Sequence, residues 1–104
     1  MSLLTANPIV RLTWEDPGTH EEQAWHGPLP VRLGRAGENE IVLNTAAVSR
    51  QHARIERDGA GVVLIDNGSS NGTFVGGRRI TREPLADGAT LTLGPFTLTL
   101  DLDP

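Results

Sequence analysis

The chain has 104 residues, the common size of a single domain, and 38% of them are hydrophobic, which suffices for one core. It contains no cysteine, so disulfides and thiolate metal sites are excluded, and no apolar run reaches the length of a membrane helix. The net charge of −4 argues against nucleic acid as an electrostatic partner. We therefore expect a monomeric, cytoplasmic domain that binds neither nucleic acid nor membranes and needs no cofactor.

Short runs of alternating apolar and polar residues, separated by turn residues roughly every eight to twelve positions, predict an all-β sandwich. Residues 1–8 show no periodicity and are expected to be a flexible tail, with residues 1–3 a remnant of cloning and 9–104 the domain. Residues 15–30 are interpreted as a loop or an irregular hairpin near one edge. Residues 62–65 are apolar on both faces, which is typical of a central strand.

Two hairpins are predicted in the second half of the chain. Residues 73–75 and 78–80 can pair across Gly76-Gly77, a pair suited to a two-residue turn. Near the end, Leu91 and Leu93 alternate with polar residues, Gly94-Pro95 makes a turn, and alternation resumes from Phe96.

Three predicted loops carry residue types that bind phosphate. They are Gly34-Arg35, Ser49-Arg50-Gln51-His52 and Ser69-Ser70-Asn71-Gly72-Thr73. All nine basic residues are arginine, which a GC-rich coding bias would also explain. The guanidinium group is nevertheless the side chain best shaped to hold a phosphate through paired hydrogen bonds.

With these motifs the chain resembles the forkhead-associated (FHA) domain family over residues 31–100. Matching positions in the same order and spacing carry the resemblance: Gly34-Arg35, Ile41, Leu43, Val48-Ser49-Arg50-Gln51-His52-Ala53, Leu64, Asp66, Ser69, Asn71-Gly72-Thr73, Val75, Leu85, Gly88, Leu91 and Gly94. The resemblance implies a β-sandwich of about eleven mostly antiparallel strands, with binding loops at one end. It also implies a non-enzymatic module that binds a Thr-phosphorylated protein or peptide downstream of Ser/Thr kinases.

The resemblance further implies individual roles. Arg35, Ser49 and Ser70 would contact the phosphate, Arg50 the phosphate or the peptide, and Asn71 the peptide backbone. Supporting roles fall to Gly34, His52, Gly72 and Thr73.

The arginines of the 78–82 segment lie outside the family's contact set. Arg78, Arg79 and Arg82 are expected to be solvated, with the alternative that they help to select acidic residues flanking the phosphothreonine.

Other functions are weighed against this one. A phosphorylation-independent scaffold or oligomerisation domain of the same fold is the alternative. Ser49 and His52 could be imagined as nucleophile and base, but residues three apart in an extended strand point to opposite faces, so we expect no contact. His20, His26 and His52 match no zinc-site spacing.

Overall fold

The computed structural model describes residues 8–102, which form two β-sheets packed face to face. Within this range there are eleven strands and no helix, so the predicted all-β sandwich is confirmed. In chain order they are β1 Ile9–Glu15, β2 Glu22–Pro28, β3 Val31–Gly34, β4 Ile41–Val42, β5 Ala53–Asp58, β6 Gly61–Asp66, β7 Thr73–Val75, β8 Arg78–Ile80, β9 Arg82–Leu85, β10 Thr90–Leu93 and β11 Phe96–Leu102. One sheet has the order β2-β1-β11-β10-β7-β8 and the other β4-β3-β5-β6-β9. Of the predicted tail, residues 1–8, and its cloning remnant, residues 1–7 lie outside the described residues.

The core lies between the sheets and is built from aliphatic side chains at alternate positions, as the period of two requires. Fully buried side chains from both sheets meet there: Val10, Leu12, Val31, Leu33, Ala53, Ile55, Leu64, Leu91, Leu93, Leu98 and Leu100. The strand around residues 62–65 is central, as predicted, because β6 pairs with β5 on one side and β9 on the other.

Both predicted hairpins are present. β7 pairs with β8 across Gly76 and Gly77, whose φ angles of 56° and 83° lie in the left-handed region that a tight hairpin turn needs. β10 pairs with β11 from Leu93 and Phe96 outward. Among the described strands, the β3–β4 pair is the parallel one, and the other strand pairs are antiparallel.

The interpretation of residues 15–30 as a loop or an irregular hairpin near one edge was right about the edge but missed a regular strand. Residues 22–28 form a regular seven-residue strand in register with all of β1. The alternation is weak because β2 is an edge strand whose side chains are half-buried at most. Trp25 supplies much of its contact with the core, and its indole lies so close to Gly27 that a Cβ there would stand 2.8 Å from the ring.

The loops that follow β3, β4 and β6 are held against one another at one end of the sandwich. His52 N–H donates to Leu33 O over 3.0 Å, and Asn67 N–H donates to His52 O over 3.0 Å. The three predicted phosphate-binding motifs therefore converge, although they are far apart in sequence.

Between residues 8 and 102, no helix has the length and apolarity needed to cross a membrane.

Candidate binding site

The first two loops of the site join through backbone hydrogen bonds. Arg35 N–H donates to Ser49 O over 3.0 Å, and Ala36 N–H donates to Arg50 O over 3.2 Å. This approach depends on Gly34, because a Cβ at that position would lie 2.1 Å from Arg50 O. No side chain fits in that space, so a residue other than glycine at position 34 would push the two loops apart.

A second buried side chain supports the same junction. Asn39 is 5% exposed, and its Nδ2 donates to Ala36 O over 2.7 Å and to Arg50 O over 2.9 Å. Asn39 was not among the residues nominated from the sequence. A polar residue in a loop carries no local signal that it will be buried against another loop's carbonyl groups.

His52 connects the second loop to the third. Its ring is fully buried, Ser49 N–H donates to Nδ1 over 3.0 Å, and Nε2 lies 2.9 Å from Gly72 O. Because an amide can only donate to Nδ1 and a carbonyl can only accept, the proton is assigned to Nε2, which makes the ring neutral. The bridge fits the predicted supporting role of His52.

The expectation that Ser49 and His52 do not touch was wrong. Residues 50–51 form a turn rather than extended strand, so the ring folds back onto the Ser49 amide. The contact involves the backbone N–H and not the hydroxyl, however, so Nδ1 is occupied and cannot take a proton from Ser49 Oγ.

The third loop is organised around the carboxylate of Asp66. It accepts hydrogen bonds from the backbone N–H groups of Gly68 and Ser69 at 3.0 and 3.1 Å, and from the hydroxyls of Ser69 and Thr73 at 2.5 and 2.7 Å. Burial raises the pKa of Asp66, but these bonds outweigh it and hold the pKa below its ordinary value. Gly72 N–H donates to Ser69 Oγ over 3.0 Å and so closes the loop.

His52, Asn39 and the backbone hydrogen bonds between the loops form a frame. It carries polar groups that remain open to solvent. Arg35 is exposed, and its Nε donates to Val48 O over 3.0 Å, which fixes the stem and leaves the terminal nitrogens free. Ser49 Oγ accepts a bond from Ser70 N–H over 3.2 Å and, within residues 8–102, has no acceptor for its own hydrogen. Arg50 is exposed and makes no side-chain hydrogen bond or ion pair within the same residues.

Asn71 is exposed and bridges the second and third loops. Its Nδ2 donates to Ala47 O over 2.8 Å, which leaves its side-chain carbonyl and one N–H available. Gly94, at the β10–β11 turn, supports this bridge, because a Cβ there would stand 3.1 Å from Ala47 Cβ. The roles of Ala47 and Val48 lie in their carbonyl groups, which no side-chain pattern reveals.

The structure thus brings together the residues that the sequence nominated as contacts. Arg35, Ser49, Arg50, Ser70 and Asn71 lie on three mutually hydrogen-bonded loops. Such a surface offers guanidinium, hydroxyl and amide groups to a ligand. Within residues 8–102, no group of three His, Cys, Asp or Glu side chains could hold a metal ion.

Comparisons with known proteins agree with this geometry. The family model described as the FHA domain matches residues 31–94. An ABC transporter ATP-binding/permease protein of Mycobacterium tuberculosis is 43% identical over 75 residues, which are 69% of this chain and 9% of the transporter. The chain spans less than half the length of the curated relatives that it matches.

Two solved structures extend the likeness to the fold. One, from an analysis of phosphothreonine-dependent FHA domain interactions, is 29% identical, covers 92% of this chain and 98% of its own, and has a TM-score of 0.77. The other is EmbR of Mycobacterium tuberculosis in complex with a low-affinity phosphopeptide, which is 31% identical, covers 89% of this chain and 24% of its own, and has a TM-score of 0.74. Loops, sandwich and family match together show that this chain belongs to the FHA domain family, a family of protein-interaction modules.

Proposed function

We propose that this chain binds phosphothreonine-containing proteins or peptides through Arg35, Ser49, Arg50, Ser70 and Asn71, and that it catalyses no reaction. The proposal includes a monomeric domain that acts in the cytoplasm downstream of a Ser/Thr kinase. It is supported by the phosphothreonine-dependent interactions of one related FHA domain and by the phosphopeptide bound to another.

The observation that carries the proposal is the fixing of Arg35 and Ser49 by the frame beneath them. Arg35 is held at both its N–H and its Nε, and Ser49 is held at its N–H, its C=O and its Oγ. Donors that are already ordered lose little entropy when a ligand arrives. A phosphothreonine brings a charge of about −1.5 to −2 and three acceptor oxygens, which match a guanidinium and a free hydroxyl hydrogen.

The expected affinity is moderate. A hydrogen bond to a charged group contributes roughly 1.5–3 kcal/mol, and two or three of them minus the ordering of a peptide correspond to Kd values in the micromolar range. Burial of the threonine methyl contributes only about 0.8 kcal/mol, or about fourfold. A stronger preference over phosphoserine would require the site to select the stiffer side-chain rotamer of phosphothreonine.

The test is a titration with three peptides of one sequence that carry phosphothreonine, phosphoserine or unmodified threonine. We expect binding in that order, with the unmodified peptide below detection. Ser49→Ala should weaken the phosphothreonine peptide by about tenfold, because it removes one hydrogen bond to a charged group. Equal binding of all three peptides would contradict the proposal and favour the phosphorylation-independent scaffold.

A further inference from the structure

Arg79 lies against the loop that carries Asn71, although it belongs to a different strand. It stands on β8, and a Cβ at Gly72 would lie 2.7 Å from its Nε and 3.0 Å from its Cζ. The guanidinium therefore rests on the backbone of Gly72, the residue that follows Asn71. Gly72 also has a φ of +90°, so the position excludes side chains on two counts and leaves this space to Arg79.

The charge of Arg79 is not neutralised, unlike that of its neighbours. Arg78 pairs with Glu83 at 3.4 Å, and Arg82 pairs with Asp58 at 3.1 Å. Arg79 is exposed and makes no hydrogen bond or ion pair within residues 8–102. The carboxylate in the adjacent loop, Asp66, already accepts four hydrogen bonds there.

We propose that Arg79 is a specificity-determining residue that binds the carboxylate of an Asp or Glu flanking the phosphothreonine of the ligand. This inference rests on the proposed function. A peptide backbone bonded to Asn71 passes beside Gly72, so the side chain of a flanking residue reaches the guanidinium that covers Gly72. Arginine holds a carboxylate through two parallel hydrogen bonds, and no carboxylate of the described chain competes for this one.

The experiment measures the Kd of phosphothreonine peptides in which every flanking residue is neutral and a single Asp is moved through each position in turn. The proteins are the wild type, Arg79→Ala, Arg79→Glu and the matched control Arg78→Ala. The control removes an arginine from the same strand that already has a carboxylate partner. Thermal unfolding of each variant checks that the loops remain folded.

We expect Asp at one position, or at two adjacent positions, to strengthen binding to the wild type by about two- to fivefold, the contribution of an exposed ion pair. This gain should shrink at high salt, vanish in Arg79→Ala and persist in Arg78→Ala. Arg79→Glu should prefer Lys over Asp at the same position.

Three outcomes would overturn the inference. The first is no gain from Asp at any position in the wild type, and the second is a gain that survives Arg79→Ala. The third is an Arg79→Ala variant that weakens the all-neutral peptide as much as the Asp peptide. The last result would mean that Arg79 acts on the loop or on the phosphate. Failure of the wild type to bind even the all-neutral phosphothreonine peptide would instead refute the proposed function, and the inference with it.

Discussion

The arginines at the loop end and those on the flanks of the sandwich have opposite surroundings. On the flanks, Arg32 donates to Glu40 at 2.8 Å, and Arg54 donates to Glu56 at 2.7 Å. At the loop end, Arg35 donates to a backbone carbonyl, and Arg50 has no partner within residues 8–102. The chain has 13 acidic residues for nine arginines, so placement, and not number, leaves Arg35 and Arg50 without a carboxylate partner among residues 8–102.

The two regions also differ in what holds them together. The Arg32–Glu40 contact is charge against charge, whereas His52, Asn39 and backbone amides join the binding loops through neutral groups, and the carboxylate of Glu38, which also links two of these loops, accepts from the neutral Gln51 amide. A neutral frame stabilises loops without consuming the positive charge that they present. The difference indicates how a chain of net negative charge can keep a compact site for an anion.

Removing one arginine from each region should produce the largest difference in peptide binding between the two regions. Arg35→Ala should weaken phosphothreonine-peptide binding by about 3 kcal/mol, roughly a hundredfold in Kd, because paired charge-assisted hydrogen bonds to the phosphate are lost. Arg32→Ala should leave Kd unchanged, since its guanidinium already serves Glu40. Fluorescence anisotropy with a labelled peptide measures both, and equal losses would show that the site assignment is wrong.

The neutral frame is tested by His52→Ala. The change leaves Ser49 N–H and the Gly72 carbonyl without their partner, so we expect a loss of about 2 kcal/mol in the free energy of unfolding, along with weaker peptide binding. Denaturant unfolding measures the stability. The control is His26→Ala on the exposed side of β2, which should shift stability by no more than about 0.5 kcal/mol. Matching effects at His26 and His52 would argue against the bridge.

The charged flank predicts a smaller effect that depends on pH. Hydrogen bonds from Arg32 lower the pKa of Glu40 from 4.5 to about 2, against the opposing effect of burial. Because the folded-state pKa is depressed, the stabilisation is present above the ordinary pKa of 4.5 and is lost as pH falls toward 2. The side chains of Arg32 and Glu40 are 46% and 32% exposed, so solvent screening reduces the contribution of Glu40 to about 1 kcal/mol.

Unfolding experiments across this acid range, on the wild type and on Glu40→Gln, test the prediction. The wild type should lose about 1 kcal/mol more than the variant as pH falls, because the variant has no carboxylate at this position to protonate. Parallel curves would show that the pair contributes nothing measurable. Peptide binding near neutral pH should be the same for both proteins, since Glu40 contacts Arg32 on β3 and none of the residues proposed to touch the ligand.

Much of the fold could be predicted because its signals are local. Alternation at Leu91, Leu93 and Phe96 predicted the last hairpin, and Gly76-Gly77 predicted the turn that their positive φ angles now explain. The edge strand β2 could not be recognised in this way. Its side chains are half-buried at most, so apolar residues are not required at every second position.

The candidate site likewise has features that a local sequence signal predicts and features that have no such signal. Arg35, Ser49 and Asn71 could be nominated from motif spacing, and Asp66 was among the matching positions that carry the family resemblance. The burial of Asn39 could not be predicted, and neither could the carbonyl groups that orient the site, because such contacts join residues with no pattern in common.

The all-β class, the main hairpins, the family and the residues nominated for the ligand could all be inferred from the amino-acid sequence, since each depends on neighbouring residues or on an ordered motif. The three-dimensional structure was needed to show which arginines have carboxylate partners, how His52 bridges Ser49 and Gly72, and that Arg79 lies against Gly72. Those outcomes depend on distances of a few ångströms between segments brought together by the packing of the two sheets. Hydrogen bonds and ion pairs form or fail over such distances, and no local pattern of residues encodes them.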